Sequence, residues 1–197
     1  MKNKKTLFIL VLVFVLLIGG ASILYRQLGQ SLTPKQFTAQ EPSQTQEQGT
    51  DDSKTQAPDF TVYDAEGNEV HLSDFFGKPI VLNFWASWCG PCQMEMPEFH
   101  EKYLELGDSI HFLMVNTTDG LRETVDTTSA FIAENAYTFP VFYDTQTDAA
   151  SAYSAYSLPT TFFIDAEGYA IAQAVGAIDM ATLQRGIDLI TKTPQDN

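Results

Sequence analysis

The most informative run of this chain is Asn83-Phe-Trp-Ala-Ser-Trp-Cys-Gly-Pro-Cys92. Its first residues continue an apolar, β-branched segment that begins at Pro79, a pattern typical of a strand buried on both faces. The residues after it, from Cys89 to Leu106, carry apolar side chains at helical spacing. The sequence therefore predicts a buried strand over Pro79–Trp85 that turns directly into a helix, with two cysteines at the helix start.

The two cysteines lie where a helix start can activate a thiol. Unpaired backbone N–H groups and the helix dipole favour a thiolate at Cys89. Pro91 is tolerated in the first turn, because an N–H group there would have no helical partner in any case. Cys92 follows three residues after Cys89 on the same helix face, so the two sulfurs can form a disulfide. One sulfur can then attack a foreign disulfide, and the other can release the mixed intermediate.

Three other interpretations of the cysteine pair are weaker. A structural staple that closes so short a loop constrains little of the unfolded chain, about 2 kcal/mol. A zinc site needs a second pair of ligands, and His71, His100 and His111 have no metal-binding spacing between them. Two inert buried thiols would not need Gly90-Pro91 between them at a strand-to-helix turn. The pair is therefore interpreted as redox-active, and no metal or other cofactor is predicted.

The alternation of strands and helices along residues 58–197 predicts the fold class. These 140 residues suffice for one ordinary core. Because a hairpin and a last helix follow the alternating elements, we expect an α/β fold, with a central mixed sheet covered by helices on both faces. The predicted elements are an N-terminal hairpin (Phe60–Leu72), strands Pro79–Trp85, Ile110–Val115, Phe139–Tyr143, Thr161–Ile164 and Tyr169–Ala174, and helices Cys89–Leu106, Glu123–Ala136, Asp148–Tyr156 and Asp179–Thr191.

Residues 1–26 have the composition of a membrane anchor. Three lysines lie among the first five residues, the uncharged stretch Thr6–Tyr25 follows, and Arg26 ends it. At about 1.5 Å per residue, a helix over this stretch matches the ~30 Å hydrocarbon core of a bilayer. The excess of positive charge at its start predicts a single pass of the cell membrane with a cytoplasmic N-terminus. A cleaved signal peptide is the alternative, because Gly19-Gly20-Ala21 offers small residues to a peptidase.

Residues 27–57 differ in composition from the segments on either side. Eight of these 31 residues are glutamine and few are large and apolar, so the stretch is predicted to be a flexible linker. The whole chain has 11 Lys and Arg against 25 Asp and Glu, a net charge of −14. A chain this acidic does not suit nucleic acid as a partner, because phosphate neutralisation needs a basic surface.

Several motifs together resemble the thioredoxin superfamily. They are the run Asn83–Cys92 and the later Leu158-Pro159-Thr160. Within that superfamily, the membrane-anchored TlpA/ResA-like thiol–disulfide oxidoreductases are similar at Cys92-Gln-Met-Glu95-Met-Pro97, Phe139-Pro140-Val141 and Phe163-Ile164-Asp165-Ala-Glu-Gly168. The helix and strand predicted between Val115 and Asp144 match the insertion expected of that branch. The resemblance covers residues 58–193 and implies a thioredoxin-like fold.

The resemblance implies roles for the residues around the two cysteines. Cys89 and Cys92 would be the catalytic redox disulfide. The Leu158–Pro159 peptide bond would be cis, and these two residues would shape a groove in which a client strand pairs. The rest of the substrate-binding surface would be formed by Trp88, Gly90 and Pro91. A proline that merely begins a strand is the alternative interpretation of Pro159.

Glu95 is a departure from ordinary thioredoxins. Cytosolic thioredoxins place an aspartate six residues before the first cysteine, and that position here is Asn83, which cannot exchange protons. Glu95 follows Cys92 by three residues, within reach of the same helix face. The resemblance implies a partly buried catalytic carboxyl that serves Cys92 as a base, since burial raises the pKa of a carboxyl. A solvent-exposed glutamate is the alternative interpretation.

Together these features predict an exported, membrane-tethered thiol–disulfide oxidoreductase that reduces selected extracytoplasmic protein disulfides. Its partners would be disulfide-bearing client proteins and, as the resemblance implies, a CcdA/DsbD-like membrane electron donor. Cytochrome c maturation and the recycling of methionine sulfoxide reductase are the candidate pathways. The alternatives are a disulfide-forming oxidase and a non-catalytic client-binding module. Gly90-Pro91, the dipeptide of reducing thioredoxins, argues against the oxidase.

Overall fold

The computed structural model describes residues 37–39 and 55–191 of the chain. The elements in these ranges follow the predicted order from residue 58 onward, with one added 3-10 helix at Leu72–Phe75. The strands are β1 (Phe37–Ala39), β2 (Thr55–Gln56), β3 (Thr61–Tyr63), β4 (Glu69–His71), β5 (Ile80–Trp85), β6 (His111–Asn116), β7 (Val141–Tyr143), β8 (Thr160–Ile164) and β9 (Tyr169–Val175). The helices are α1 (Gly90–Leu106), α2 (Val125–Glu134), α3 (Asp148–Ala152) and α4 (Met180–Thr191).

One mixed sheet organises these elements. Its strands lie in the order β1-β9-β8-β5-β6-β7-β3-β4, and β2 also pairs with β9. β5 runs parallel to β6 and antiparallel to β8, while β6 and β7 are parallel. The predicted α/β fold with a central mixed sheet is therefore confirmed.

The core lies on both faces of β5, and every residue of this strand is buried. Alternate residues of a strand point to opposite faces. Val81 and Trp85 accordingly pack with the apolar side chains of α1 and α4. Leu82 and Phe84 pack on the other side with Tyr153 and the 3-10 helix residue Leu72. This two-sided burial explains why the segment reads as a continuous apolar run rather than as an alternating one.

The strand directions bring three loops to one edge of the sheet. Trp85, at the end of β5, lies opposite Asn116, at the end of the parallel strand β6. Phe84 lies opposite Thr160, the first residue of the antiparallel strand β8. The turn after β5, the loop after β6 and the loop before β8 therefore meet at this edge, and they carry Cys89, Arg122 and Pro159 respectively.

Several predicted elements are shorter in the structure, and local backbone geometry explains where they end. Thr124 caps the start of α2, because its hydroxyl accepts a hydrogen bond from Thr127 N at 3.1 Å. Ala136, just past the end of α2, has a φ of 53°. Ser154 has a φ of 50°, which ends the predicted helix Asp148–Tyr156 early. The left-handed region that these two residues adopt does not continue a helix.

Two short strands lie inside the stretch that the sequence assigns to the linker. β1 pairs antiparallel with Ala172–Ala174 of β9, and β2 pairs with Tyr169 and Ala170 of the same strand. The pairing uses backbone groups, which an edge strand offers irrespective of side chains. A glutamine-rich composition therefore gave no sign of it. The predicted anchor Thr6–Tyr25 lies outside the described residues, and within residues 55–191 no helix is long and apolar enough to cross a bilayer.

Candidate active site

The two cysteines are joined by a disulfide at the start of α1. Cys89 is the N-cap residue of the helix, its Sγ accepts a hydrogen bond from Cys92 N at 3.2 Å, and the Cα atoms lie 5.2 Å apart. Cys89 retains 5% of its surface exposed, whereas Cys92 has none. Of the two sulfurs, Cys89 is therefore the one that a second protein can approach.

A cleft of about 750 Å³ opens beside Cys89. Among the residues expected to bind substrate, Trp88, Gly90, Pro91 and Leu158 line it. The Leu158–Pro159 peptide bond is cis, as the resemblance implies. Pro159 itself is buried, and its carbonyl accepts a hydrogen bond from Gly176 N at 2.8 Å. The structure thus brings four of the expected binding residues together around Cys89, with Pro159 adjoining them through Leu158.

Glu95 lies one helical turn after Cys92 and is buried, with 2% of its surface exposed. Its Oε1 accepts a hydrogen bond from Asn83 Nδ2 at 2.8 Å, and its Oε2 accepts one from Ile178 N at 2.9 Å. Burial away from water raises the pKa of Glu95 to about 7, and the two hydrogen bonds offset only part of that rise. The alternative of a solvent-exposed glutamate therefore does not describe this residue.

Asn83 links Glu95 to the centre of the sheet. Its side-chain amide nitrogen donates to Glu95 and also to Thr161 Oγ1, at 3.0 Å. Asn83 lies in β5 and is buried. The position that holds a proton-exchanging carboxyl in cytosolic thioredoxins is thus occupied by an amide that donates to the carboxyl of Glu95.

A second buried carboxyl at the site belongs to Glu123. From the sequence, this residue is predicted only as the first residue of a helix. It is fully buried, and it lies in the loop between β6 and α2. Its Oε1 accepts hydrogen bonds from Ser87 N (2.7 Å), Asn116 Nδ2 (2.6 Å) and Thr128 Oγ1 (3.1 Å). Its Oε2 accepts one from Ser87 Oγ at 2.7 Å. Acidic residues are common near helix starts, so the position of Glu123 in the sequence did not indicate that its carboxyl would be buried and hydrogen-bonded at the site.

The same loop places a cation on the active-site rim. The guanidinium carbon of Arg122 lies 3.8 Å from the centre of the Trp88 ring, a cation–π contact. Asp119 supports this loop, because its Oδ1 accepts hydrogen bonds from the backbone N–H groups of Leu121, Arg122 and Glu123 at 2.8–2.9 Å. Arg122 and Asp119 line the cleft together with Asp144 and Tyr156, and no motif in the sequence predicted these four residues.

The site residues together define what chemistry the site can perform. Within residues 55–191, no group of three or more histidine, cysteine or acidic residues could hold a metal ion. The arrangement combines an approachable sulfur, a buried sulfur and a carboxyl whose pKa is close to neutral. It can exchange disulfides and can accept or donate a proton next to the buried sulfur.

Comparisons with known proteins agree with this chemistry. Residues 54–172 match the AhpC/TSA family. The chain is 36% identical over 135 residues to the thiol-disulfide oxidoreductase ResA of Geobacillus kaustophilus (strain HTA426). The aligned residues cover 68% of this chain and 75% of that protein. It is 30% identical over 191 residues to the ResA of Bacillus subtilis (strain 168), with 96% of each chain covered.

Solved structures of similar proteins share the fold. A putative thiol:disulfide interchange protein DsbE from Chlorobium tepidum aligns with a TM-score of 0.61 and 29% identity, covering 69% of this chain and 95% of that one. StoA from Bacillus subtilis aligns with a TM-score of 0.58 and 26% identity, covering 66% and 97%. The fold is therefore thioredoxin-like, and these similarities agree with disulfide exchange as its chemistry.

Proposed function

The chain belongs to the AhpC/TSA family and is a ResA-like thiol–disulfide oxidoreductase, and from that premise we propose that it is an exported, membrane-tethered reductase of selected protein disulfides. One observation carries the proposal above the others. A disulfide caps the start of a helix with only Cys89 approachable, beside an open cleft. A structural disulfide would have no need of that asymmetry between its two sulfurs.

The reaction begins with both cysteines reduced. The Cys89 thiolate attacks one sulfur of the client disulfide, and the other client sulfur leaves as a thiolate and takes a proton. Cys92 then attacks Cys89 Sγ, which releases the second client thiol. Two electrons pass to the client, and the Cys89–Cys92 disulfide remains on the enzyme. The burial of Cys92 supports this order, because it keeps Cys92 from foreign disulfides and leaves it able to reach Cys89.

Glu95 serves the second step as the proton acceptor for Cys92. The thiolate is the attacking species, so the Cys92 thiol must lose its proton first. A carboxyl is an efficient base when its pKa lies near the working pH, and burial raises the pKa of Glu95 to about 7. Glu95 is buried on the same helix as Cys92 and three residues away, which supports transfer directly or through one water.

The client binds in an extended form across the cleft. Leu158 lies two residues before β8, and the backbone near it is the proposed pairing partner for the client strand, while Pro159 shapes the groove. Trp88, Gly90 and Pro91 contact the residues on either side of the client disulfide. The clients are proteins outside the cytoplasm, with apocytochrome c and oxidised methionine sulfoxide reductase as the two candidates that the resemblance suggests.

The tether and the electron supply complete the proposal. Thr6–Tyr25 anchors the chain, and a CcdA/DsbD-like membrane protein reduces the Cys89–Cys92 disulfide after each turnover. This scheme is supported by the composition of the N-terminal residues and by the need for an electron carrier where no nicotinamide pool is present.

Insulin reduction and covalent trapping test the function. The purified protein should accelerate the reduction of insulin by dithiothreitol, and Cys89→Ser should abolish that acceleration. Cys92→Ala should hold its client through Cys89 as a mixed disulfide that mass spectrometry can identify. The redox equilibrium with glutathione gives the reduction potential of the cysteine pair, which decides whether the protein reduces or forms disulfides. A potential of about −270 mV favours a reductase, and one of about −120 mV favours an oxidase. A protein that leaves insulin reduction at the rate of dithiothreitol alone contradicts the proposal.

A further inference from the structure

Glu123 is a buried carboxyl that the proposed reaction does not use. Glu123 accepts four hydrogen bonds. Ser87 donates two of them, from its backbone N–H and its hydroxyl, and the side-chain amide of Asn116 and the hydroxyl of Thr128 donate the others. Asn116 is held in that orientation, because its Oδ1 accepts a hydrogen bond from Thr118 Oγ1 at 2.8 Å. The backbone N–H of Ser87 and the side-chain amide nitrogen of Asn116 can only donate, and the two hydroxyls can donate as well, so the surroundings of this carboxyl suit an acceptor.

No cation neutralises this carboxylate. Among residues 55–191, no lysine, arginine or histidine lies within 4.0 Å of an oxygen of Glu123. Arg122 is the next residue in the chain, but its guanidinium stacks on Trp88. A carboxylate at this position would be held by neutral donors and shielded from solvent, where a charge acts over a longer range than at the surface.

The carboxyl of Glu123 is hydrogen-bonded to the turn that carries the nucleophile. Two of the four hydrogen bonds come from Ser87, which precedes Cys89 by two residues, so their Cα atoms are at most about 7 Å apart. The same hydrogen bonds tie the loop between β6 and α2 to the turn that carries Cys89. Glu123 thus holds this turn in position through Ser87.

We propose that Glu123 is a positioning residue for Cys89, which holds the turn before the nucleophile and whose buried negative charge opposes the formation of the Cys89 thiolate. The inference rests on the proposed role of Cys89 in disulfide exchange. Reduction of the disulfide takes two electrons and two protons when both thiols stay protonated, and one proton fewer when Cys89 ionises. The charge of Glu123 disfavours the reduced state in which Cys89 is a thiolate. It therefore favours the disulfide at pH values at which Cys89 would otherwise be ionised.

Other charged or titratable groups also face the two cysteines. Asp119, Arg122, Asp144 and Tyr156 line the cleft with Cys89, and Glu95 lies on α1 after Cys92. A substitution at Glu123 replaces none of these side chains. A comparison of variants therefore isolates the contribution of Glu123 from theirs.

Glu123→Gln removes the charge and preserves the hydrogen bonds. The oxygen of the new amide can accept from Ser87 N, Asn116 and Thr128, as Oε1 does now. Its nitrogen can donate to the hydroxyl of Ser87, which has lone pairs free to accept. Ser87→Ala is the matched control, because it removes one hydrogen bond to Glu123 but retains the carboxyl group and its three other hydrogen bonds.

The two variants should behave differently in two measurements on the reduced protein. The midpoint of the pH profile for Cys89 alkylation should shift to a lower pH by about one pH unit in Glu123→Gln and should stay in place in Ser87→Ala. The equilibrium with glutathione should match the wild type at pH 6, where Cys89 stays protonated. By pH 9 the Glu123→Gln equilibrium should favour the reduced form up to about tenfold more, which is about 30 mV.

The pH dependence separates a charge effect from a loss of packing. A Glu123→Gln equilibrium that differs from the wild type equally at pH 6 and pH 9 contradicts the proposal, because altered packing does not depend on thiolate formation. Identical alkylation profiles for the wild type and Glu123→Gln overturn the proposal as well. In either case a wild-type protein that exchanges with glutathione leaves the proposed function standing, so the two failures are distinguishable.

Discussion

Two buried carboxyls flank the disulfide, and their surroundings differ. Glu95 lies beneath Cys92 and receives two hydrogen bonds, whereas Glu123 lies beneath Ser87 and receives four. Burial opposes ionisation at both places, but hydrogen-bond donors favour the charged form. Burial raises the pKa of Glu95 to about 7, because its two hydrogen bonds offset only part of that effect. The four hydrogen-bond donors around Glu123 favour the carboxylate form that is proposed above.

This difference suggests a division of labour between two chemically identical side chains. A carboxyl that titrates near neutral pH can carry a proton, which is the use proposed for Glu95. A carboxyl whose lone pairs are taken up by donors acts through its fixed charge and through the loop that it holds. The number of donors around each group, rather than its depth, separates the two roles, and the following experiments test that separation.

The largest expected effect is on the pH dependence of stability. The pKa of Glu95 is higher in the folded protein than in the unfolded chain, so its contribution to stability is complete below about pH 4.5 and is lost as the pH rises through about 7. The loss is about 3 kcal/mol in the free energy of unfolding. Urea unfolding of the oxidised protein should show this decline in the wild type and in Glu123→Gln, and not in Glu95→Gln. An identical decline in Glu95→Gln contradicts the assignment.

The next effect is on the rate of exchange. Glu95→Gln should lower the rate at which Cys92 resolves the mixed disulfide about 100-fold near pH 7, because it removes the proton acceptor. Stopped-flow measurement of client release gives this rate. Glu101→Gln, an exposed position on the same helix, is the matched control and should leave the rate unchanged. Resolution at the wild-type rate in Glu95→Gln would remove the proposed role.

A smaller effect follows from the donors themselves. Asn83→Leu removes the hydrogen bond from Nδ2 to Glu95 Oε1, and the ionised form of Glu95 loses that stabilisation. The pKa of Glu95 should rise by about one unit, and the midpoint of the pH–rate profile for client release should move up with it. A midpoint that stays in place means that the donor count does not control the protonation of Glu95.

The smallest effect is expected at the rim. Arg122→Ala removes a cation near Cys89, so the pH dependence of Cys89 alkylation should move up slightly, opposite in sign to the change in Glu123→Gln. Loss of the contact with Trp88 should also lower the free energy of unfolding by about 0.5–1 kcal/mol. Alkylation rates and urea unfolding measure the two changes. A downward movement of the alkylation profile contradicts the electrostatic account of this loop.

Local sequence pattern was enough for most of the fold. The apolar run of β5, the helix after Cys89 and the closing hairpin carry their own signals, because burial on both faces and helical spacing are properties of contiguous residues. Helix ends such as Thr124 and Ser154 differ by a few residues, since they depend on caps and left-handed residues. The pairing of β1 and β2 with β9 depends on a distant backbone edge, which composition does not encode.

The site divides in the same way. Cys89 and Cys92 follow from spacing alone, and Glu95 and the cis bond before Pro159 followed from resemblance. Spacing placed Glu95 on the helix face of Cys92, but only the tertiary structure shows that it is buried. Glu123 and Arg122 reach the disulfide through a loop more than 30 residues further along the chain. Residues that meet only through folding leave no periodic trace in the sequence.

The strands β1 and β2 also have a bearing on which polypeptides the protein captures. They pair with the backbone groups of β9, so this side of the sheet ends in strands of only three and two residues, a length that makes a poor template for an unfolded chain. The opposite side ends in β4, where Glu69 and His71 are exposed and polar. Short and polar sheet edges disfavour edge-to-edge association with the extended clients proposed above, which would dock in the cleft beside Cys89.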